Sequence, residues 1–340
     1  MTMTHATRRA LGLAALLLAL TLSACGSEDE PTAAAEATET TGAFPVTLTT
    51  KPGRVTIDAE PKRVVTLDFP STDAVLALGV TPVAMAKVSY VPGDVQTWTK
   101  AALKGTSPEQ FSADVDIPLE KIAALRPDLI VGTNAYNLEP VYSKLSQIAP
   151  VVSYVKAAGA DQWQQSTLLV GQALGREAQA RKLVADTEAS IAKTASEHPS
   201  FTGKTLTLFN YAERQAYAIS SAEDFSIVFL SSLGFKLAPA IERAEATDKD
   251  DDFGEARLPV SDERLKLLDA DVVLGTSSDS AASLKSFARR PLFRRLSAVK
   301  RGAYETLEIG PATSIAFPSV LSINWAIDNL VPVLDRLTTE

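Results

Sequence analysis

The chain contains the stretch EKIAALRPDLIVGT at residues 120–133 and, without a gap, the matching stretch ERLKLLDADVVLGT at residues 263–276. Each copy begins with an acid and a base, continues with a pattern typical of a short helix, and ends with Asp, three apolar residues and Gly-Thr. A further strand and helix pattern precedes each copy and ends in Leu-Gly, at 78–79 and at 233–234. A repeat of this kind predicts two lobes of similar fold.

The residues around the first copy alternate between strand and helix patterns. The β-branched run Arg63–Leu67 predicts a buried strand, Pro70–Leu78 predicts the helix after it, and Val151–Tyr154 predicts the last strand of this lobe. Strands that alternate with helices at this spacing predict a parallel sheet. We therefore expect an α/β protein with a parallel sheet in each lobe.

Residues 161–198 interrupt this alternation. Apolar or small residues recur there at every fourth position, for example Leu183, Thr187 and Ile191, and the segment has no proline before its end. This pattern predicts a long helix, which Gly171 and Gly175 could divide. The resulting boundaries are 45–160 for the first lobe, 161–198 for the helix and 199–340 for the second lobe.

Composition excludes several classes of function. The chain has 33 Lys and Arg against 41 Asp and Glu, a net charge of −8, so we expect no nucleic-acid binding. Histidine occurs only at positions 5 and 198 and cysteine only at 25, which is too few for a His or Cys metal cluster, a disulfide within the chain or a CxxC redox pair. A Ser-His-Asp triad would have to use His198, beside Pro199 at a predicted helix end. We expect no enzyme activity and no cofactor.

The N-terminal residues resemble a bacterial lipoprotein signal. Arg8-Arg9 is followed by a short apolar run and by Leu22-Ser23-Ala24-Cys25, which matches a lipobox. This resemblance implies a signal peptide at 1–24 and a lipid on Cys25. The arginine pair leaves Sec and twin-arginine export open.

The residues after Cys25 predict a tether. Residues 26–43 contain five carboxylates among Ala, Thr, Gly and Ser, with no Lys or Arg. Such a composition does not bury enough apolar surface to offset the entropy of ordering, so we expect a flexible acidic tether at 25–44. The protein is then expected outside the cytoplasm, anchored by its lipid to the outer face of the cytoplasmic membrane or in the periplasm.

Five separated blocks of the sequence occur in a characteristic order: Lys62–Val65, Leu76–Val83, Leu119–Ile130, Val260–Leu265 and Leu296–Lys300. Together they resemble the solute-binding lipoproteins of ABC importers for iron-siderophore complexes and cobalamin. The resemblance covers about residues 55–335. It implies two similar lobes with parallel sheets, joined by one long rigid helix, with the ligand in the cleft between the lobes.

The resemblance also implies a function and partners. The ligand is expected to be a ferric siderophore, delivered by a monomeric binding protein to a dimeric ABC permease with its ATPase. Receptors for catecholate siderophores often have Arg before the Phe that begins the first helix of the second lobe. Here Asp224 precedes Phe225, which favours a hydroxamate or mixed siderophore. A cobalamin or haem receptor, or a surface lipoprotein that has lost transport, remains an alternative.

Ligands of α/β proteins bind beyond the carboxyl ends of the strands, which selects the candidate residues. A ferric siderophore needs aromatic walls and a few polar donors, and no ligand from the protein on its iron. In the first lobe the candidates are Asp68, Phe69, Lys87, Tyr90, Trp98, Asn134 and Tyr136. In the second lobe they are Asn210, Tyr211, Arg214, Arg257 and Phe317. Each also has an ordinary explanation, such as a solvated Arg or a Trp that covers a sheet edge.

Glu120 and Glu263 occupy equal positions in the repeat, each in the first turn of a predicted helix. By family resemblance, one such Glu in each lobe pairs with Arg on each half of the permease. The alternative is a favourable interaction of the carboxylate with the helix N-terminus, which needs no partner.

Overall fold

The computed structural model describes residues 44–245 and 257–339. The predicted signal peptide, Cys25 and all of the tether except Phe44 lie outside the described residues. The first described element is an antiparallel hairpin of strands β1 (Val46–Thr50) and β2 (Gly53–Ile57), which the sequence analysis did not predict.

The first lobe is built on a sheet of five parallel strands. They are β3 (Val64–Thr66), β4 (Ala84–Ala86), β5 (Glu109–Phe111), β6 (Leu129–Gly132) and β7 (Val151–Ser153), in the spatial order β5-β4-β3-β6-β7. Every residue of β3, β6 and β7 is buried, as expected for short aliphatic strands covered on both faces. The helices of this lobe are α1 (Phe69–Ala77), α2 (Thr97–Ala102), α3 (Leu119–Ala124) and α4 (Tyr142–Leu145). Short 3-10 turns lie at Pro92–Asp94 and Glu139–Val141.

The segment between the lobes consists of two helices, α5 (Trp163–Ala173) and α6 (Glu177–Glu197). The predicted helical segment over 161–198 is therefore divided in two, at Gly175, one of the two glycines at which the sequence left a division open. Gly175 has φ +68°, a left-handed conformation that ends α5 and lets α6 turn back to pack against it. The 21 residues of α6 still span about 30 Å without a break.

The second lobe has a mixed sheet. Its strands are β8 (Thr205–Ala212), β9 (Gln215–Ile219), β10 (Lys236–Leu237), β11 (Arg257–Val260), β12 (Val272–Ser277) and β13 (Tyr304–Thr306). The order is β11-β9-β8-β12-β13, with β10 beside β8. Strands β8, β10, β12 and β13 run parallel to one another, as predicted, but β9 pairs antiparallel with both β8 and β11.

Helices cover this second sheet. They are α7 (Phe225–Ser232), α8 (Pro239–Glu245), α9 (Ala281–Ala288), α10 (Ser297–Lys300), α11 (Ile309–Ala316) and α12 (Val320–Thr339). Short 3-10 helices lie at Pro199–Phe201, Asp262–Leu268 and Phe293–Arg295. None of the helices within 44–245 and 257–339 is both long and apolar enough to cross a membrane.

The two copies of the repeat occupy equivalent places in the two sheets. In the first copy Asp128 accepts backbone hydrogen bonds from Lys62 and Arg63 (2.8 and 2.7 Å), just before β3. In the second copy Asp271 accepts bonds from the backbone N–H and the hydroxyl of Thr205 (2.8 Å each), at the start of β8. The repeated Asp thus aligns two neighbouring parallel strands in each lobe. The prediction of two similar α/β lobes is confirmed.

The C-terminal helix forms a second connection between the lobes. Helix α12 packs against α6, and also against α1 and α2 of the first lobe. The start of α12 therefore belongs to the junction between the lobes, although it lies within the range predicted for the second lobe. The predicted boundary at residue 199 stays a prediction.

Candidate functional site

A cavity of about 230 Å³ lies where the strands of the first lobe end. Its walls come from the loops after β3, β4, β5 and β6, and from Phe317 at the end of α11. The polar and aromatic lining residues are Asp68, Phe69, Lys87, Tyr90, Asp114, Asn134, Tyr136, Asn137 and Phe317. This is the position at which α/β proteins bind ligands.

Asp68 forms one wall of the cavity and also begins α1. Its carboxylate accepts hydrogen bonds from the backbone N–H and the hydroxyl of Ser71 (2.7 and 2.9 Å), which caps the helix. It also accepts a bond from the backbone N–H of Asn134 (3.1 Å) and so joins the loops after β3 and β6. Burial raises the pKa of Asp68 to about 6, and the bonds from Ser71 and Asn134 oppose this shift.

Aromatic rings supply the apolar part of the walls. Phe69 meets Phe317 edge to face, with ring centroids 5.8 Å apart. Tyr90 and Tyr136 are 51% and 62% exposed, so both offer ring surface to a ligand. Burial, with the charge of Asp114 adding to it, raises the pKa of Tyr90 to about 12, so this phenol stays protonated at neutral pH.

The cations near the cavity are already paired. The Lys87 ammonium lies 2.9 Å from the Asp94 carboxylate. The Arg257 guanidinium lies 3.2 Å from Asp224, which also caps α7. Burial raises the pKa of Tyr136, while the nearby charges of Arg257 and Asp224 have opposite effects on it.

Seven of the predicted residues line the cavity, and the other second-lobe candidates lie elsewhere. The seven are Asp68, Phe69, Lys87, Tyr90, Asn134, Tyr136 and Phe317. Arg257 is not part of the lining, but its charge acts on Tyr136. The role of these residues in binding stays a prediction.

The structure corrects the predicted positions of Asn210, Tyr211 and Arg214. Strand β8 continues past residue 209 into the hairpin with β9, so no open loop follows it. Tyr211 is 5% exposed, stacks on Phe287 and has its hydroxyl bonded to the Arg290 guanidinium (2.9 Å). The Asn210 amide is bonded to Ser278 (2.6 and 3.1 Å). Arg214 is exposed at the hairpin tip.

The structure also corrects the prediction that Trp98 lines the cleft. Trp98 is 4% exposed and donates its indole N–H to the Asp73 carboxylate (2.7 Å). Its ring packs on Trp325, with centroids 5.3 Å apart. Trp98 therefore belongs to the junction between the lobes and stands behind Phe69, 6.4 Å from that ring.

Asp73 is the centre of this junction. It is fully buried on α1 and accepts bonds from Trp98, from the Thr99 hydroxyl (2.5 Å) and from the Ser319 hydroxyl (2.6 Å) at the start of α12. Burial raises the pKa of Asp73 to about 7; the three bonds oppose this shift and the charge of Asp68 adds to it. No local pattern in the sequence indicated this role, because the partners lie 25 to 246 residues away.

Sequence reasoning missed Asp114 and Asn137, which line the cavity from the loops after β5 and β6. The Asn137 amide donates to the backbone carbonyl of Asp114 (2.9 Å) and joins these two loops. The strand β5, Glu109–Phe111, is short and partly polar, so the strand pattern that would have pointed to Asp114 was weak.

Comparisons with known proteins agree with this architecture. Residues 64–306 match the periplasmic binding protein family. The chain belongs to this family. It is 26% identical over 274 residues to the protein named "Probable siderophore-binding lipoprotein YfiY" from Bacillus subtilis (strain 168). The aligned residues cover 78% of this chain and 80% of YfiY.

Two solved structures extend the comparison. A periplasmic solute binding protein from Mycobacterium smegmatis superposes with a TM-score of 0.73 at 30% identity, over 86% of this chain and 99% of that one. SirA of Staphylococcus aureus, complexed with staphyloferrin B, superposes with a TM-score of 0.68 at 26% identity, over 85% of this chain and 98% of SirA. The resemblance to solute-binding proteins of this family is confirmed.

Within this periplasmic binding protein, the two repeated glutamates are exposed at equal places. Glu120 is the second residue of α3, and Glu263 is the second residue of the 3-10 helix Asp262–Leu268. The backbone N–H of Glu263 and the side chain of Ser261 hold the pKa of Glu263 below its usual range. Both glutamates lie away from the cavity lining.

A larger groove, of about 520 Å³, lies beside α5 and α6. Its lining includes Gln162, Gln164, Gln165 and Glu188, and no aromatic side chain. The smaller cavity at the strand ends has the aromatic walls and the converging polar groups expected of a ligand site, so we assign the site there.

Proposed function

We propose that this protein is a lipid-anchored extracytoplasmic binding protein that captures a ferric siderophore, of hydroxamate or mixed type, and delivers it to an ABC permease. The observation that carries this proposal is the cavity at the strand ends of the first lobe. It combines the Tyr90, Tyr136 and Phe317 rings with a small number of polar groups. A ferric siderophore is an amphipathic chelate, and such a site matches it in both respects.

The size of the cavity sets how the ligand is held. A volume of about 230 Å³ is below the roughly 300–1,000 Å³ typical of sites that enclose a drug-sized molecule. One side of the chelate is therefore expected to enter the cavity against Phe69 and Phe317. The other side is expected to face Arg257 and Asp224 of the second lobe.

The charges around the cavity support the hydroxamate class. Lys87 and Arg257 are each paired with a carboxylate, while Asp68 and Asp114 add negative charge to the lining. Three hydroxamates neutralise Fe(III), whereas three catecholates leave a strongly negative complex. A site with this balance repels an anion and accepts a neutral or cationic chelate.

In this proposal the iron keeps its siderophore ligands. The described histidine, His198, lies elsewhere, with its ring bonded to Asp335 (3.0 Å) and stacked on Phe201. No group of three or more His, Cys, Asp and Glu side chains within 44–245 and 257–339 is arranged to hold a metal ion. The protein is expected to recognise the organic surface of the chelate.

Delivery involves two further parts of the chain. Glu120 and Glu263 each project from one lobe, as a partner with two-fold symmetry would require, and we propose that each contacts one half of a dimeric permease. A relative named as a probable siderophore-binding lipoprotein supports anchoring through a lipid on Cys25. The ATPase of the importer would then drive uptake.

Titration of the protein with a panel of ligands tests the proposal. The panel contains a neutral ferric tris-hydroxamate, a ferric tris-catecholate, ferric citrate, haem and cobalamin. Trp98 and Trp325 lie behind Phe69, so a bound ferric chelate should quench tryptophan fluorescence. We expect saturable quenching by the hydroxamate with micromolar or tighter affinity. Tight binding of haem or cobalamin without siderophore binding would overturn the proposal, and the absence of any saturable ligand would favour an interaction lipoprotein.

A further inference from the structure

The second lobe contains a continuous basic segment. Residues 280–303 include seven Lys and Arg and no Asp or Glu, in a chain whose net charge is −8. The segment forms α9, the 3-10 helix Phe293–Arg295 and α10, and these three elements pack together. It is not part of the cavity described above.

The packing of this segment turns its charges outward. Phe287, Phe293 and Leu296 are 1%, 0% and 4% exposed and anchor the segment in the core of the second lobe. Most of the side chains between these anchors are exposed. One of them is apolar: Leu292 is 44% exposed.

Two of the seven cations have partners in the fold. The Arg290 guanidinium pairs with Asp262 (2.5 Å) and bonds to the Tyr211 hydroxyl. The Arg301 guanidinium donates to the backbone carbonyls of Ala270 and Asp271 (2.6 and 2.9 Å). Both therefore serve to hold the segment in place.

The other five cations are exposed and form no ion pair with any residue in the described parts of the chain. They are Lys285, Arg289, Arg294, Arg295 and Lys300. Together with Leu292 they form what we call the basic surface. Five like charges on neighbouring turns repel one another, so the surface is costly to keep unless an anionic partner contacts it.

We propose that the basic surface binds the anionic phospholipid headgroups of the membrane to which the chain is anchored. Guanidinium groups match phosphate oxygens in geometry and charge. An exposed leucine between arginine pairs suits a lipid interface, where the apolar tip enters the boundary of the acyl chains and the cations stay at the phosphates. An acidic protein partner would also match the charges of the basic surface, but it would not explain why the apolar Leu292 is exposed among them.

Membrane attachment brings this surface within reach of lipid. The proposal rests on the anchoring proposed above: 18 residues, 26–43, separate Cys25 from Phe44, a reach of at most about 60 Å when extended. The acidic remainder of the protein does not prevent the contact, because charges beyond about 8 Å are screened at physiological salt. Contact at the second lobe would restrict rotation of the anchored protein at the membrane.

Binding to vesicles tests the proposal without lipidation. The full chain carrying Cys25→Ser is sedimented with vesicles of phosphatidylcholine alone, or with an equal part of phosphatidylglycerol, at low and at high salt. The neutral vesicles measure any background from the apolar N-terminal run. We expect binding that requires phosphatidylglycerol and is lost at high salt. No difference between the two lipids would overturn the proposal.

Two variants and a matched control locate the contact. The double reversal Arg294→Glu with Arg295→Glu should weaken binding to the anionic vesicles by at least tenfold, since each cation contributes roughly fivefold. Leu292→Ser should weaken it by a smaller factor. The control, Lys100→Glu with Lys144→Glu, makes the same change of charge at exposed sites of the first lobe. An equal loss in the control would overturn the proposal.

Two further measurements separate this proposal from the others. Siderophore titration of the Arg294→Glu, Arg295→Glu variant should be unchanged, so a failure of ligand binding and a failure of membrane contact are seen independently. If the double reversal abolishes uptake in cells while vesicle binding stays intact, the surface contacts the permease and the proposal is wrong.

Discussion

The two lobes share a repeat and a set of parallel strands, but they differ at the carboxyl edge of the sheet. In the first lobe the strands end in loops that separate and leave a cavity between Tyr136 and Phe69. In the second lobe β8 runs on into β9, and Tyr211, Phe287 and Phe293 pack together at the corresponding edge. A strand end is therefore a ligand site only where the next element turns away and leaves room.

The junction between the lobes should tolerate the least change. Asp73→Ala leaves the buried donors of Trp98, Thr99 and Ser319 without an acceptor. We expect the free energy of unfolding to fall by about 3 kcal/mol, since each unsatisfied buried group costs roughly 1–3 kcal/mol. Urea denaturation measures this loss. The control Asp186→Ala removes an exposed carboxylate on α6 and should cost less than about 0.5 kcal/mol; equal losses would show that Asp73 does not join the lobes.

The same carboxyl should make stability depend on pH. Burial raises the pKa of Asp73 to about 7 in the folded protein, from the ordinary value of 3.8 that applies in the unfolded chain. The folded state therefore holds the proton more tightly than the unfolded state, and ionisation destabilises the fold. We expect the contribution of Asp73 to stability to be full below the unfolded pKa of 3.8 and to be lost as the pH rises through the folded pKa of about 7, with a steepest slope of about 1.4 kcal/mol per pH unit.

Denaturation of Asp73→Asn across pH 4.5 to 7.5 isolates this effect. Asp68, whose pKa is raised to about 6, acts in the same direction and is present in both proteins, so the difference between the curves reports Asp73. Parallel curves for the parent protein and the variant would contradict the assignment.

The difference between the two sheet edges predicts where ligand affinity is sensitive. Tyr136→Ala removes an exposed aromatic wall of the first-lobe cavity, and we expect about a tenfold weaker affinity for the ferric hydroxamate, or about 1.4 kcal/mol. Arg214→Ala changes an exposed residue at the tip of the β8–β9 hairpin in the second lobe and should leave affinity unchanged. Fluorescence titration measures the affinity of both variants. A larger loss of affinity in Arg214→Ala than in Tyr136→Ala would contradict the assignment of the ligand site to the first lobe.

The smallest expected effects concern docking. Each contact of Glu120 or Glu263 with a permease arginine would be an ion pair between exposed side chains, and a single pair of this kind contributes little. Single Ala substitutions should reduce uptake slightly, whereas reversal of both to Lys should block it through repulsion. Siderophore affinity should stay the same, because neither residue lines the cavity. Normal uptake by a stably folded double variant would leave the helix-terminus interaction as the explanation of both residues.

Part of this structure was predictable from sequence because the relevant signals are local. Short aliphatic strands and the repeated Asp128 and Asp271 indicated two α/β lobes and the edge at which the site lies. The positions of Trp98 and Tyr211 were not predictable in the same way. An aromatic residue near a strand end gives one local pattern whether it faces a ligand or the core, and for both residues distant partners decide, Asp73 for the first and Arg290 for the second.

The division of the interlobe segment has a similar explanation. The apolar pattern over 161–198 is continuous, so periodicity favoured one helix. The left-handed conformation of Gly175 and the packing of α5 against α1 depend on tertiary contacts that periodicity does not report.

A crystal structure of the protein with a bound neutral ferric tris-hydroxamate tests the assignment of the ligand site most directly. We expect the chelate to enter the first-lobe cavity against Tyr90, Tyr136 and Phe317, the iron to keep only siderophore oxygens, and Tyr211 to remain buried. A chelate seated on the strand ends of the second lobe, or a protein side chain bound to the iron, would contradict this assignment.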